Sequence, residues 1–431
     1  MPEDIYWLKY ETRFQTMPAW LQQPGVPPGM CVCIPVYAEP ELTITMESLL
    51  QCELPACQIE VLLLFNKDSR MTPDEMNLHD QIWKDVKEWM SQADHQKPGL
   101  NFVPIYISET PVNKGGVGWA RKLAMDEAAR RLEQHGVILC LDADCKVELN
   151  YLQTVYTYFF QNSDCDAASI YFEHKLENLQ DDTLNAISQY ELHLRYLVQA
   201  IRWTGHPFSY HTVGSAMAVK RGAYLAQGGM NTRQAGEDFY FLQKFIEAGS
   251  FHEIKSTCVH PSSRMSIRVP FGTGKAMTKL LSSNEEWPTT DFEVFREIRP
   301  LFAEVNQLRT LLVTYDTEQA KSLFLETVQL RPAVIGFLTG LNFFDEVKSI
   351  VRQTTNETNF RKRFFRYFNL FMMIRYMHFA ARHYYPDPGV YTPAVNLLSA
   401  LKVSMPMDVS LKELLEKYRQ LDRTLLEHLH A

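Results

Sequence analysis

The chain has 431 residues, 46% of them hydrophobic, and a formal net charge of −8. That length and apolar content allow a large core and more than one compact unit. The acidic total argues against a protein built to coat nucleic acid.

No basic stretch followed by an apolar run and a small-residue cleavage site stands at the N-terminus, so a cytoplasmic protein is expected. A spanning helix needs roughly 20 continuous apolar residues. The nearest candidate, 364–381, is interrupted by Arg366, Asn369, Arg375 and His378. The 8 cysteines form no CxxC pair and no zinc-finger spacing, and read as buried, reduced thiols.

Residues 1–29 end in the Pro/Gly-rich piece Gln23-Pro24-Gly25-Val26-Pro27-Pro28-Gly29 and read as an arm and linker. A first strand follows, Met30-Cys31-Val32-Cys33-Ile34-Pro35-Val36. The pattern then predicts a helix over 41–51, a buried strand over 59–65, a helix over 73–92 and a strand over 101–107. A helix over 118–134 and a strand over 137–141 complete the series. Short apolar runs alternating with helical runs predict an α/β fold with a mostly parallel sheet. Ligands of such sheets bind beyond the carboxyl ends of the strands, near a switch in strand order. From about residue 290 strand signals thin out and a helical part is expected to the end.

The run Val137-Ile138-Leu139-Cys140-Leu141 leads directly into Asp142-Ala143-Asp144. Two carboxylates where a buried strand leaves the sheet suit Mg²⁺ or Mn²⁺, which is commonly held by such groups together with substrate phosphates. A solvated turn or a helix cap would use the same residues. Within a strand both side chains would face one side.

A second acidic motif follows the turn signal Gly228-Gly229-Met230-Asn231: Ala235-Gly236-Glu237-Asp238-Phe239-Tyr240-Phe241. Glu237 and Asp238 would open a helix, where acids cap and offset the dipole. Either could instead deprotonate an acceptor hydroxyl as a general base. His260 ends the apolar run Thr257-Cys258-Val259 and reads as structural or as a further metal ligand.

Together these pieces resemble family 2 glycosyltransferases of the GT-A fold, over about residues 30–277. Ile34-Pro35-Val36-Tyr37-Ala38-Glu39 looks like that family's nucleotide-binding opening, with Pro35, Tyr37 and Glu39 at the donor. Asn66 ends the second strand, where the family often places a polar group near the nucleobase or ribose. Asn113-Lys114-Gly115-Gly116-Val117-Gly118-Trp119-Ala120-Arg121-Lys122 is similar to its glycine-containing loop and Ala-Arg helix start. Gly228-Gly229-Met230 and Glu237-Asp238 look like its Gly-Gly-Phe and Glu-Asp elements.

The resemblance implies an inverting, metal-dependent transfer of a sugar from a nucleotide-sugar donor, with UDP the default base. Asp144 is then the metal ligand, joined by His260, and Asp142 contacts the ribose or donor sugar. Asp238 is the expected base and Glu237 its support, with exchange of the two left open. Lys114, Gly116 and Arg121 would approach the diphosphate, although both charges also fit an exposed helix face. Arg268, in the run 262–275, suits a lid closing over a diphosphate, or an ordinary polar loop.

The Gln-x-x-Arg-Trp motif and membrane helices of the processive synthases are absent from this sequence. Transfer of one sugar, or a few, is therefore expected. The acceptor stays open among a lipid, a small metabolite and a glycan, and nucleic acid is not an expected partner. A nucleotidyltransferase and a non-catalytic glycosyltransferase-like scaffold are the competing readings.

The expected division is 1–29 as arm, 30–289 as the GT-A domain and 290–431 as the helical region. In the latter, 360–379 is aromatic and basic together. It fits a core helix with outward arginines, or a helix at the surface of a membrane. The segment 411–429 is amphipathic and could pack on the domain or on a second copy of the chain.

Overall fold

The structure is a computed structural model. It describes residues 4–14, 19–68, 70–108, 110, 115–233, 236–265, 272–283, 285–406 and 408–424. The chain divides into two compact units. One comprises Met1–Leu179 and Thr212–Thr278, and the other Gln180–His211 and Lys279–Ala431.

The first unit holds one eight-stranded sheet. Its strands are β1 (Met30–Val36), β2 (Ile59–Asn66), β3 (Leu100–Ile107), β4 (Val137–Cys140), β5 (Lys146–Val147), β6 (Ala167–Phe172), β7 (Met217–Lys220) and β8 (Phe251–His260). They lie in the order β3-β2-β1-β4-β7-β6-β8-β5. β1, β2, β3 and β4 are mutually parallel, and β6 is parallel to β8. β7 runs antiparallel to both β4 and β6, and β5 antiparallel to β8. The sheet is therefore mixed, with four of its seven strand pairings parallel, as a mostly parallel sheet allows. β7 follows β6 through a long excursion that includes 180–211 and then re-enters between β4 and β6, and its short run Met-Ala-Val-Lys carries no signal of direction. This mixed α/β sheet, with helices making up the C-terminal part, is consistent with a GT-A-like fold.

β2 is buried along its whole length, as a central strand covered on both faces must be. Its one charge, Glu60, is met by Arg131 through paired bonds of 2.6 Å to each carboxylate oxygen. Arg131 ends the helix Val117–Arg131, which packs on β1 and β2. That helix is buried nearly all round. Its alanines (Ala120, Ala124, Ala128) allow the close approach, and its charges survive burial only because each is paired. Asp126, for example, accepts from the hydroxyls of Tyr10 and Tyr224 at 2.7 and 2.6 Å and from Lys122 at 2.9 Å. Tyr10 belongs to the helix Ile5–Phe14, so the N-terminal arm is docked at this point.

The helix Pro73–Ser91 starts where sequence signals place it. Thr72 accepts from the Glu75 amide, Glu75 answers at the Thr72 amide, and Pro73 takes the first turn.

The second unit is helical. Its framework is the long helix Asp181–Trp203, against which Leu411–Arg423 packs. Between them lies a buried ionic network. Arg195 and Glu191 are both 0% exposed and bond at 2.9 Å. Arg419 grips the same Glu191 at 2.7 and 2.9 Å, and Asp422 receives Arg195 at 2.5 Å, Gln199 at 2.5 Å and His211 at 2.9 Å. A separate aromatic core joins Phe302, Phe337, Phe343, Phe364, Phe365, Phe368 and Tyr376. Among the described residues, no helix is long and apolar enough to cross a membrane.

Candidate functional site

Strand order reverses between β1 and β4, so a crevice at their carboxyl ends is the expected ligand position. What leaves those two strands is Tyr37-Ala38-Glu39 from β1 and Asp142-Ala143-Asp144 from β4. β4 ends at Cys140, so the two acids sit in a turn, closed by Cys145 N–H donating to the Asp142 carbonyl at 3.2 Å. The Asp142 and Asp144 side chains are 42% and 30% exposed, and so open to a ligand.

The exit from β1 is a sharp turn. Ala38 adopts a left-handed φ of 45°, unusual for a residue with a Cβ. Its amide donates to Nδ1 of the buried His79 at 3.2 Å. The turn delivers Glu39, 3% exposed, whose carboxylate bonds to Arg264 and accepts from the Glu41 amide at 2.9 Å. The same Arg264 nitrogen lies 3.5 Å from Asp144. Glu39 and Asp144 thus converge on one cationic centre. Two hard oxygen groups around one positive charge make a donor set that fits Mg²⁺ or Mn²⁺.

Arg121 links Asp142 to the second acidic motif. It was expected to offer charge to a diphosphate. In the structure it is 2% exposed, with its guanidinium bonded to Asp142 at 2.7 Å and to Glu237. Glu237 and Asp238 open the helix Glu237–Ala248, as the sequence indicated. Gly236, not either acid, occupies the N-cap position. Asp238 instead accepts from the Gly214 amide at 2.8 Å and the Phe239 amide at 2.7 Å. Burial raises both carboxyls above the usual carboxylate range, and Arg121 opposes that rise in each.

Asn66 ends β2, buried, and two residues beyond it stands a group the sequence reading passed over. Asp68 is 3% exposed, chelated by Arg70, and accepts from the Gly116 amide at 3.1 Å. The bond from Arg70 holds its carboxyl below the usual range against the opposing effect of burial. Gly116 has φ 87°, which favours glycine, and starts the helix carrying Arg121. The available signal was a carboxylate just past a buried strand, the same signal that singled out Asp142. Pro35 and Tyr37 lie half-buried at the end of β1 and in the turn after it. Lys114 and Arg268 fall outside the described residues.

His260 ends β8, 4% exposed. Nε2 lies 2.7 Å from a Glu148 carboxylate oxygen and Nδ1 3.0 Å from the Glu173 carbonyl. Coordinating an ion through either nitrogen would displace one of these partners. Ligand atoms of Glu173, Cys258 and His260 lie within 4.8 Å of one another, a second grouping with metal-ligand chemistry.

No family model matches the chain, and no curated protein matches it. Similar solved structures do exist. One is S. aureus TarS 1–349 in complex with UDP-GlcNAc, 15% identical, covering 74% of this chain and 78% of that one with a TM-score of 0.38. Another is the mannosyltransferase PcManGT from Pyrobaculum calidifontis in complex with GDP-Man and Mn²⁺. It is 14% identical and covers 97% of this chain and 87% of that one, also with a TM-score of 0.38. Likeness at that level carries no argument about activity.

Proposed function

We propose that the chain is an inverting, metal-dependent glycosyltransferase of the family 2 type, taking its sugar from a nucleotide-sugar donor. The observation that carries this reading is the bridge through Arg121. It ties Asp142, at the carboxyl end of a central strand, to the acidic pair Glu237-Asp238, so that donor-side and acceptor-side acids share one buried cation.

The donor nucleotide occupies the crevice beyond β1 and β4, with Tyr37, Glu39, Asn66 and Asp68 at its rim and Asp142 at the ribose or sugar. Asp144 holds Mn²⁺ or Mg²⁺, with Glu39 as a further oxygen and His260 as a ligand once its present partners give way. When bound, such an ion acts as a Lewis acid on the leaving diphosphate. Lys114 and Arg268 add charge at the phosphates. Asp238 is the base that takes the acceptor hydroxyl's proton. Supporting this choice over Glu237, the Glu237 carboxylate is consumed by Arg121, while Asp238 is held by two amides. Transfer is of one sugar or a few, to a lipid, small metabolite or glycan.

The test is thermal stabilisation by UDP, GDP, CMP and dTDP sugars, with and without Mn²⁺. A ligand that binds only the folded state raises the melting temperature by mass action. A metal-dependent shift with one donor, lost in Asp144→Ala, supports the reading and names the base. No shift with any donor, or pyrophosphate release from a nucleoside triphosphate, overturns it.

A further inference from the structure

The helices Glu357–Tyr367 and Leu370–His383 of the second unit separate their aromatic and basic residues sharply. Phe360, Phe364, Phe365 and Phe368 are buried, as are Met373, Tyr376 and Met377. Arg361, Lys362, Arg363, Arg366, Arg375 and Arg382 are all exposed. On the first helix, Lys362, Arg363 and Arg366 fall on the side opposite the buried phenylalanines, given about 100° per residue. On the second, Arg375, His378 and Arg382 form one ridge by the same spacing, with the half-buried Phe371 and Phe379 beside them.

The sequence from 358 to 386 contains no Asp or Glu, within a chain of net charge −8. Acids do stand at the borders. Glu357 opens the first helix, and Glu346, on the neighbouring helix Phe343–Arg352, lies near Tyr367. Arg375 also acts electrostatically on Tyr367 at the end of the first helix. The cations are partly fixed in place: Arg361 lies 5.1 Å over the Phe365 ring, and Arg363 donates to Gln353 at 2.7 Å.

We infer that this basic face docks the protein on an anionic phospholipid surface. On each helix the exposed charges lie together on one side, which suits an array of negative headgroups. Phe371 and Phe379, half-buried among the arginines, suit the headgroup boundary. The large phenylalanines belong to the core, so attachment is electrostatic and reversible rather than by insertion. The inference does not depend on the transferase reading.

The test is co-sedimentation of the full chain with phosphatidylcholine vesicles, with and without phosphatidylglycerol. Binding is expected only with the anionic lipid, and is expected to weaken as salt rises. Each basic residue at such a surface contributes about fivefold, so Lys362→Gln with Arg366→Gln should bind roughly 30-fold more weakly. Arg375→Gln with Arg382→Gln is an independent pair on the second helix, should the first disturb folding. Unchanged melting temperatures show that the fold is intact. Equal binding to neutral vesicles, no binding to anionic ones, or undiminished binding by both variants overturns the inference. So does capture by an RNA oligonucleotide without capture by vesicles.

Discussion

The amide of Gly214 donates to the Asp238 carboxylate at 2.8 Å, and a Cβ on Gly214 would lie 2.9 Å from that same oxygen. It would also lie 2.7 Å from a guanidinium nitrogen of Arg121. Glycine is required here by closeness. Gly214→Ala must push apart two groups that are fixed by their other bonds. Overpacking of this kind costs about 1–3 kcal/mol, measurable by chemical denaturation. If Asp238 is the base, donor turnover should fall with it, since the substitution displaces its carboxylate.

Asp238→Asn separates catalysis from folding. If Asp238 is the base, turnover drops by roughly 10²–10⁴-fold while metal-dependent nucleotide binding persists. Its raised pKa has a signed consequence. A base must be ionised, so the acidic limb of the rate profile should lie above the ordinary carboxylate range. Arg121→Gln should move that limb higher still, because it removes the charge opposing the rise. For stability, burying Asp238 and Glu237 favours their protonated forms. Their contribution is complete below the usual carboxylate range and is lost as pH rises through the raised values. Stability should therefore depend less on pH in Asp238→Asn than in the parent.

Asp422 behaves in the opposite sense. Burial alone would raise its carboxyl, but His211, Arg195 and Arg202 together hold it well below the usual range. Its contribution is present above the unfolded carboxylate pKa and is lost as pH falls through the depressed one. Asp422→Ala leaves Arg195 buried without that partner and should cost about 3–5 kcal/mol at neutral pH. Denaturant unfolding at two pH values checks both the size and the direction.

The turn after β1 offers a stabilising change. Ala38 holds φ 45°, which glycine adopts without steric cost. Ala38→Gly should raise stability by roughly 1 kcal/mol. Its amide depends on His79, whose pKa is pushed down to about 4 by burial. Stability from neutral His79 is present above the ordinary histidine range and is lost as pH falls through about 4. His79→Phe, which removes the acceptor, should cost about 1–3 kcal/mol.

The parallel half of the sheet was legible because β1, β2 and β4 are largely apolar runs soon followed by polar residues, and their bounds match expectation within a residue. β7 was not, because four residues cannot declare a direction. At the site, Asp142 and Asp144 stood out by following an apolar strand. Asp68 carries the same signature two residues past β2, and was missed because the polar Asn66 had already filled that place. Arg121 shows a different limit. Charge and neighbouring glycines point to a phosphate, but its actual partner Glu237 lies 116 residues away, and no local pattern reports that pairing. The grouping of Asp181–Trp203 with the last helices was hidden for the same reason.

The pairing of Arg195 with Asp422 spans 227 residues. Chains are synthesised at roughly 5–20 residues per second, so this helix waits roughly 10–45 s for its buried counter-ions. During that interval Arg195 has Glu191 on its own helix, but neither it nor Gln199 has the Asp422 carboxylate that completes the network. All eight strands of the sheet lie before residue 261, so the sheet has its complete set of strands sooner. Every strand of the sheet is thus synthesised well before the carboxylate that completes the buried network of the helical unit.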